Sequence, residues 1–193
     1  VEAISNLPGI GKRTALRLVI YLLKHKETGY NIAKSIIALI DQTIYCENCH
    51  NISKHRICSI CQDLKRDSHR ICVVEDIRDI MAIETTMQYK GHYHVLGGLI
   101  SPIDGISPSD LNITTLISKI ENKNINEVIL ALCATMEGET TSYFIYKKLK
   151  NKNIDITTIS KGISVGDDLE FTDQITLGRA LQNRYSFEKT LSL

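Results

Sequence analysis

The residues best suited to chemistry are cysteines. Four share the spacing C-x2-C-x8-C-x2-C: Cys46, Cys49, Cys58 and Cys61. Each C-x2-C pair places two thiolates on one tight turn, and two pairs supply the soft ligands of a tetrahedral zinc site. We expect one structural Zn²⁺ per chain, because four protein ligands leave no position open for a substrate. Two disulfides or four free thiols are the alternatives, and the neighbouring His50 and His55 are expected to be solvated loop residues.

A second chemical signal is a glycine-rich, basic segment that precedes the cysteines. Its candidate DNA-binding residues are Gly9, Ile10, Gly11, Lys12, Arg13 and Arg17. Arg13 and Arg17 are four positions apart, so they share one face of the helix that follows. The glycines allow a tight turn, and free N–H groups at a helix start suit a phosphate. We predict a helix-hairpin-helix that binds the DNA backbone without reading sequence; a plain glycine-containing turn is the alternative.

This segment is not a Walker A loop. That motif needs a glycine where Asn6 stands and a serine or threonine where Arg13 stands. Because one hairpin binds DNA weakly, we expect several copies to act together.

Acidic residues form the third signal, at the ends of two predicted strands: Glu75, Asp76, Asp79, Glu137 and Glu139. The carboxyl ends of parallel strands share one edge of a sheet, so we expect Glu75, Glu137 and Glu139 to converge. A glutamate on one strand and an acid-Gly-acid segment on another resemble the Mg²⁺ site of the Toprim fold. The alternatives are helix caps and helix-dipole partners, or contacts with a partner protein.

Apolar periodicity indicates the helices that position the hairpin. Ala15, Leu18, Val19, Leu22 and Leu23 have the helical spacing of one stripe, expected to be buried, on the helix after the glycines. A third helix is predicted from about Ile32 to Ile44, and its buried side is expected to hold Ile32, Ile36, Ile37 and Ile40.

From Ile71 onward, strands alternate with helices, which indicates a mainly parallel sheet. Predicted strands cover 71–74, 128–132 and 154–159, the last alternating as an edge strand does, and predicted helices cover about 77–87 and 140–150. Cys72 and Cys133 are expected to be buried apolar thiols.

Composition separates two halves. Residues 1–70 carry 11 Lys/Arg against 6 Asp/Glu, whereas residues 71–193 carry 12 against 16, so a basic module precedes an acidic one. No secretory segment or long apolar run is present, so we expect a cytoplasmic protein that does not enter membranes. Helical spacing has begun by Ile4, and Val1 is not a methionine, so we expect a helical piece of the native protein to precede it.

Taken in order, these motifs resemble one bacterial family, the RecR recombination mediators. The resemblance runs through Leu7–Gly11, the cysteine quartet and Val74–Asp76, and continues in four further segments: 93–105, 137–139, 166–171 and 176–181. It implies an α+β protein of several modules: a helix-hairpin-helix (1–45), a four-cysteine zinc finger (46–70), a Toprim domain (71–160) and a C-terminal Walker B-like segment with a helix (161–193). Segment 93–105 would otherwise be interpreted as a long loop.

The resemblance further implies a nucleoid-associated, DNA-binding mediator of recombinational repair and not an enzyme. Such proteins form ring-shaped homotetramers, act with RecO and RecF, and help load RecA on single-stranded DNA. Lys12, Ala134 and Ser164 stand where the family usually has proline, which alters local loop geometry. The rival hypotheses are a Mg²⁺-dependent Toprim nuclease or phosphotransferase, and a zinc-stabilised module that binds no DNA.

Overall fold

A computed structural model describes residues 1–184 and Ser186 and divides the chain into two compact units. The first unit runs from Val1 to Asp63 and the second begins at Leu64. The elements of the first unit are α1 (Glu2–Ser5), α2 (Lys12–Lys24), α3 (Lys26–Gln42), β1 (Ile44–Tyr45), β2 (Ile52–Ser53) and α4 (Ser59–Gln62). Within the described residues, no helix is long and apolar enough to span a membrane.

Helix α3 is longer at its start than the sequence predicted. It begins at Lys26 rather than Ile32 and ends at Gln42 rather than Ile44, so only His25 separates it from α2. Residues 26–31 carry no apolar stripe, which is why periodicity missed them, but Lys26 and Glu27 are good helix formers.

The predicted burial of the α3 isoleucines is wrong for the isolated chain. Four of them are between 45% and 72% exposed: Ile32, Ile36, Ile37 and Ile40. Their helical spacing is as predicted, but no part of the described chain covers this isoleucine face. An apolar stripe in a sequence indicates that a helix face packs against other apolar residues. It does not show whether those residues belong to the same chain or to another one.

The second unit is an α/β domain. Its elements are β3 (Asp67–Val74), α5 (Ile77–Thr85), β4 (Gly91–Val95), α6 (Ile113–Asn122), β5 (Glu127–Leu130), α7 (Met136–Leu149), β6 (Asp155–Thr158) and α8 (Gln174–Gln182), with short 3₁₀ turns at Pro108–Asp110 and Leu169–Phe171. The four strands form one parallel sheet in the order β4-β3-β5-β6. Strand β6 is an edge strand, as predicted.

Strand β4 was missed because it is not an apolar run. Its middle residues are His92, Tyr93 and His94, yet Tyr93 and His94 are fully buried. Nε2 of His94 lies 2.7 Å from the carbonyl oxygen of Asn112, and the Lys119 ammonium lies 3.2 Å from Nδ1. These hydrogen bonds satisfy the buried ring, so a polar side chain takes a core position.

A network around Glu84, which the sequence did not reveal, fixes β4 to α5. The Glu84 carboxylate accepts hydrogen bonds from both terminal nitrogens of Arg66 and, at 2.6 Å, from the Tyr93 hydroxyl. Arg66 also donates to the Gly91 carbonyl oxygen at 3.2 Å. The guanidinium lowers the pKa of Glu84, and burial raises the pKa of the Tyr93 hydroxyl.

Helix α7 starts earlier than predicted, at Met136 rather than Thr140. The Thr135 side chain caps it by accepting a hydrogen bond from the Gly138 N–H at 3.3 Å. Strand β5 ends at Leu130, so Cys133 lies in the loop beyond it and is exposed, which corrects the prediction of a buried thiol. Cys72, inside β3, is buried as predicted.

Candidate metal centre and nucleic-acid interface

The four cysteines come together as the spacing predicts. Their sulfur atoms all lie within 4.8 Å of one another, and three of the four residues are buried. Hydrogen bonds from backbone N–H groups stabilise the loops, both within a knuckle and between the two knuckles. The Cys46 N–H donates to the Asn51 carbonyl at 2.7 Å, and the Cys58 N–H donates to Cys46 Sγ at 3.3 Å. Asn48 Nδ2 donates to Cys61 Sγ at 3.2 Å, so side-chain and backbone donors surround the sulfurs as they would surround thiolates.

The electrostatics of this cluster favour a cation. The hydrogen bond from Cys49, followed by that from Cys61, lowers the pKa of Cys58 to about 2, while the same interaction raises the pKa of Cys49. Deprotonation of Cys58 thus makes deprotonation of Cys49 less favourable. Four thiolates at these distances repel one another unless a positive ion lies between them, and tetrahedral sulfur ligation is the preference of Zn²⁺.

The hairpin presents its basic residues to solvent. Gly9 has φ +78°, a left-handed conformation that favours glycine, and Gly11 is the N-cap of α2. No side chain in the described chain caps α2, so its first N–H groups have no side-chain acceptor. Lys12, Arg13 and Arg17 are all exposed. The loop therefore offers backbone N–H donors and guanidinium groups on the same end of one helix, a suitable surface for phosphates.

The acids follow adjacent strands, because β3 pairs with β5 and Val73 aligns with Leu130. Two of them act as a helix cap. The Asp76 side chain accepts the Arg78 N–H at 2.7 Å, and Asp79 Oδ2 accepts the N–H groups of Glu75 and Asp76. Arg78 lowers the pKa of Asp76, whereas burial, followed by Asp79 and Asp76, raises the pKa of Glu75.

Glu137 and Glu139 lie in the first turn of α7 rather than in a loop. Glu139 forms ion pairs with Lys161 and, at 3.8 Å, with Arg179 of α8. The Lys161 hydrogen bond lowers the pKa of Glu139. Glu137 and Glu139 thus stabilise the positive end of the helix dipole, and Glu139 also holds the C-terminal segment.

Some of these acids are engaged by other groups of the protein. In residues 1–184 and Ser186, the cysteine quartet is the only group of three or more metal-ligating side chains close enough to share an ion. Glu139 is already neutralised by cations, and Asp79 is engaged by backbone donors. Asp76 and Asp79 therefore serve as helix caps and Glu139 forms ion pairs, while Mg²⁺ binding at this sheet edge stays a prediction.

Comparison with known proteins supports the order of the modules. Three family models match: "RecR, helix-hairpin-helix" over residues 1–39, "Toprim domain" over 69–160 and "RecR, C-terminal" over 162–185. The recombination protein RecR of Flavobacterium johnsoniae is 54% identical over 192 residues, which cover 98% of this chain and 93% of that protein. The RecR of Bacteroides fragilis is 50% identical over 192 residues, with 99% and 94% covered.

The chain belongs to the RecR family. Its role accordingly lies in recombinational repair. Two residues of this RecR-family chain that sequence reasoning did not single out, Arg66 and Glu84, are structural rather than chemical. An arginine before a predicted strand and a glutamate in a predicted helix gave no pairing signal, because 18 positions separate them. The Walker B-like residues 166–171, all of which the structure describes, contain no strand and include the 3₁₀ turn at Leu169–Phe171.

Proposed function

We propose that this chain binds the DNA backbone through its helix-hairpin-helix and acts in recombinational repair as a binding protein rather than an enzyme. The observation that carries the proposal is the exposed pair Arg13 and Arg17 beside the first N–H groups of α2. Contacts of this kind neutralise phosphates without reading base edges, so affinity depends steeply on salt and little on sequence.

A filter-binding titration over a range of salt concentrations tests the hairpin. The double substitution Arg13→Ala with Arg17→Ala should weaken binding to duplex DNA and lower the steepness of the salt dependence by about 1.8. The matched control is Lys24→Ala with Lys26→Ala, which removes two exposed charges, one at the last residue of α2 and one at the first residue of α3. If both double variants lose affinity equally, net charge rather than the hairpin accounts for binding.

In this proposal the cysteine quartet holds one Zn²⁺ that fixes the fold of residues 44–62. Its support is the sulfur cluster, which has the soft donor set that zinc prefers. The metal supplies rigidity and no reaction step, since all four ligand positions come from the protein. Metal analysis should find one zinc per chain in the purified protein.

Oligomerisation would convert one weak hairpin into a clamp. The exposed isoleucine face of α3 supports this part of the proposal, because an apolar surface of this kind on a monomer marks a contact with another protein. We propose a homotetrameric ring. Multi-angle light scattering measures the molar mass of the assembly and therefore the number of subunits. A monomer at all concentrations would contradict it.

The proposed partners are RecO and RecF, with the loading of RecA on single-stranded DNA as the outcome. Glu137, in the first turn of α7, forms none of the ion pairs that neutralise Glu139, and it is an acidic group that a basic partner protein would fit. Charge reversal at Glu137 should weaken RecO binding, and unchanged binding would exclude this surface. Mg²⁺-dependent DNA cleavage that is lost on Glu75→Gln would contradict the proposal of a binding protein.

A further inference from the structure

The outward side of α7 combines aromatic and basic residues that the hairpin and the cysteines do not explain. Four exposed side chains recur at positions i, i+3, i+4 and i+7: Tyr143, Tyr146, Lys147 and Lys150. Side chains with this spacing lie together on a helix surface. We call this surface the α7 face. Tyr143 is 59% exposed and Tyr146 is 45% exposed, although burying an aromatic ring in a core would remove a large apolar area from water.

The α7 face is also the basic part of an acidic domain. Residues 140–154 contain four lysines and no acid, although residues 71–193 as a whole carry more Asp and Glu than Lys and Arg. Lys152 forms an ion pair with Glu121 at 2.8 Å. Lys147 instead lies beside an aromatic ring, with its ammonium 5.2 Å from the centroid of Tyr143. Lysines at a helix C-terminus stabilise the helix dipole, which explains their charge but not the exposed rings beside them.

A cavity adjoins the two tyrosines. It has a volume of about 270 Å³ and lies between α7 and the edge strand β6. Its lining includes apolar Leu132 and Ile156 and the hydroxyls of Thr157 and Thr158. The Thr158 hydroxyl donates its hydrogen to the Leu130 carbonyl at 3.1 Å, so its oxygen remains available as an acceptor. The lining also includes the ion pair of Glu139 and Lys161. An apolar floor, aromatic walls and acceptor oxygens at one side suit a flat base that carries an N–H donor at its edge.

We propose that the α7 face is a second nucleic-acid contact and that it takes single-stranded DNA. Unstacked bases lie on Tyr143 and Tyr146, one of them entering the cavity, while Lys147 and Lys150 neutralise the adjacent phosphates. A duplex cannot use the tyrosines in this way, because its base faces are already stacked. The proposal is independent of the hairpin, which lies in the other unit and contacts only phosphates.

The first test measures fluorescence anisotropy of a labelled oligo(dT) strand and of a duplex of equal length with the full chain. Tyr143→Leu with Tyr146→Leu should weaken binding of the single strand about tenfold and leave the duplex unchanged. Tyr143→Phe with Tyr146→Phe keeps the rings and should keep the affinity. If the leucine and phenylalanine pairs behave alike, or if duplex binding falls equally, stacking on the α7 face is excluded.

The second test concerns the charges. Lys147→Gln with Lys150→Gln should lower the steepness of the salt dependence for oligo(dT) by about 1.4. The matched control, Lys34→Gln with Lys90→Gln, makes the same change in net charge at two exposed positions outside α7 and should leave the slope unchanged. Equal slopes for the two double variants would contradict phosphate contacts at α7.

Photocrosslinking then locates the bases. A strand containing 5-bromodeoxyuridine, irradiated in complex with the wild-type chain, should crosslink to Tyr143 or Tyr146, as identified by mass spectrometry of the peptides. Crosslinks confined to other residues would overturn the proposal. A leucine pair that changes the size of the assembly in light scattering, with unchanged DNA binding, would show instead that this face packs against a second copy of the chain.

Discussion

Replacing Glu84 with glutamine should destabilise the second unit far more than the removal of one surface charge. Glu84 accepts from Arg66 and, at 2.6 Å, from the fully buried Tyr93, and the Arg66 side chain is only 12% exposed. Glutamine keeps one acceptor oxygen, but it places an NH₂ group against the guanidinium. The buried cation then loses its counter-charge, while Tyr93 and Arg66 compete for one neutral oxygen.

The expected loss is about 3 kcal/mol, because hydrogen bonds to charged groups contribute roughly 1.5–3 kcal/mol and breaking a largely buried ion pair costs more than its net contribution. For a domain of this size, that loss lowers the melting temperature by roughly 10 °C. The matched control is Glu121→Gln, which breaks the exposed ion pair with Lys152 and should cost about 0.5 kcal/mol. Both effects are measured by urea denaturation, with hydrogen exchange of the β4 peptides to assign the transition to the second unit.

The same pair predicts a pH dependence. Because Arg66 lowers the folded-state pKa of Glu84 below its ordinary value of 4.5, the stabilisation is fully present above pH 4.5 and is lost as the pH falls through the lowered pKa. The stability difference between wild type and Glu84→Gln should therefore be constant near neutrality and shrink in acid. Equal losses for Glu84→Gln and Glu121→Gln, or a difference independent of pH, would refute this account of the network.

Three further predictions concern single sites. Cys61→Ser should abolish stoichiometric zinc and unfold residues 44–62, which metal analysis and hydrogen exchange measure; retention of one tightly bound zinc would contradict a four-cysteine site. Gly138→Ala should cost about 2–3 kcal/mol in urea denaturation, since a Cβ there would lie 2.0 Å from the Cys133 carbonyl oxygen; a neutral substitution would show that this turn readily shifts. Asp76→Ala should cost about 1 kcal/mol through loss of the α5 cap, whereas Asp76→Asn should cost less; equal losses would exclude capping as the cause.

The cysteine site could be predicted from sequence because its ligands are close along the chain. Each knuckle is a local turn, and eight intervening residues cannot place the pairs far apart. The parallel sheet was also predictable, because its central strands β3 and β5 each contain a short apolar run and are followed by helices. Asp76 as a helix cap likewise follows from local chemistry.

What sequence reasoning missed depends on distant partners. His94 was interpreted as a loop residue, because the sequence does not show that Asn112 and Lys119 form hydrogen bonds with its ring. The α3 isoleucines read as core, although the described chain does not cover them. Glu139 was predicted to belong to a candidate metal site, and the sequence did not reveal its ion pairs with Lys161 and Arg179. For His94 and Glu139 the side chain has the expected chemistry, and a residue far along the chain decides which contact it makes.

The most direct test of the central claim is the salt dependence of duplex binding by wild type and by Arg13→Ala with Arg17→Ala. The account predicts steep salt dependence for wild type and a clearly flatter, weaker curve for the variant, with the Lys24→Ala and Lys26→Ala control close to wild type. Superimposable curves for wild type and the arginine variant would contradict DNA binding through the hairpin.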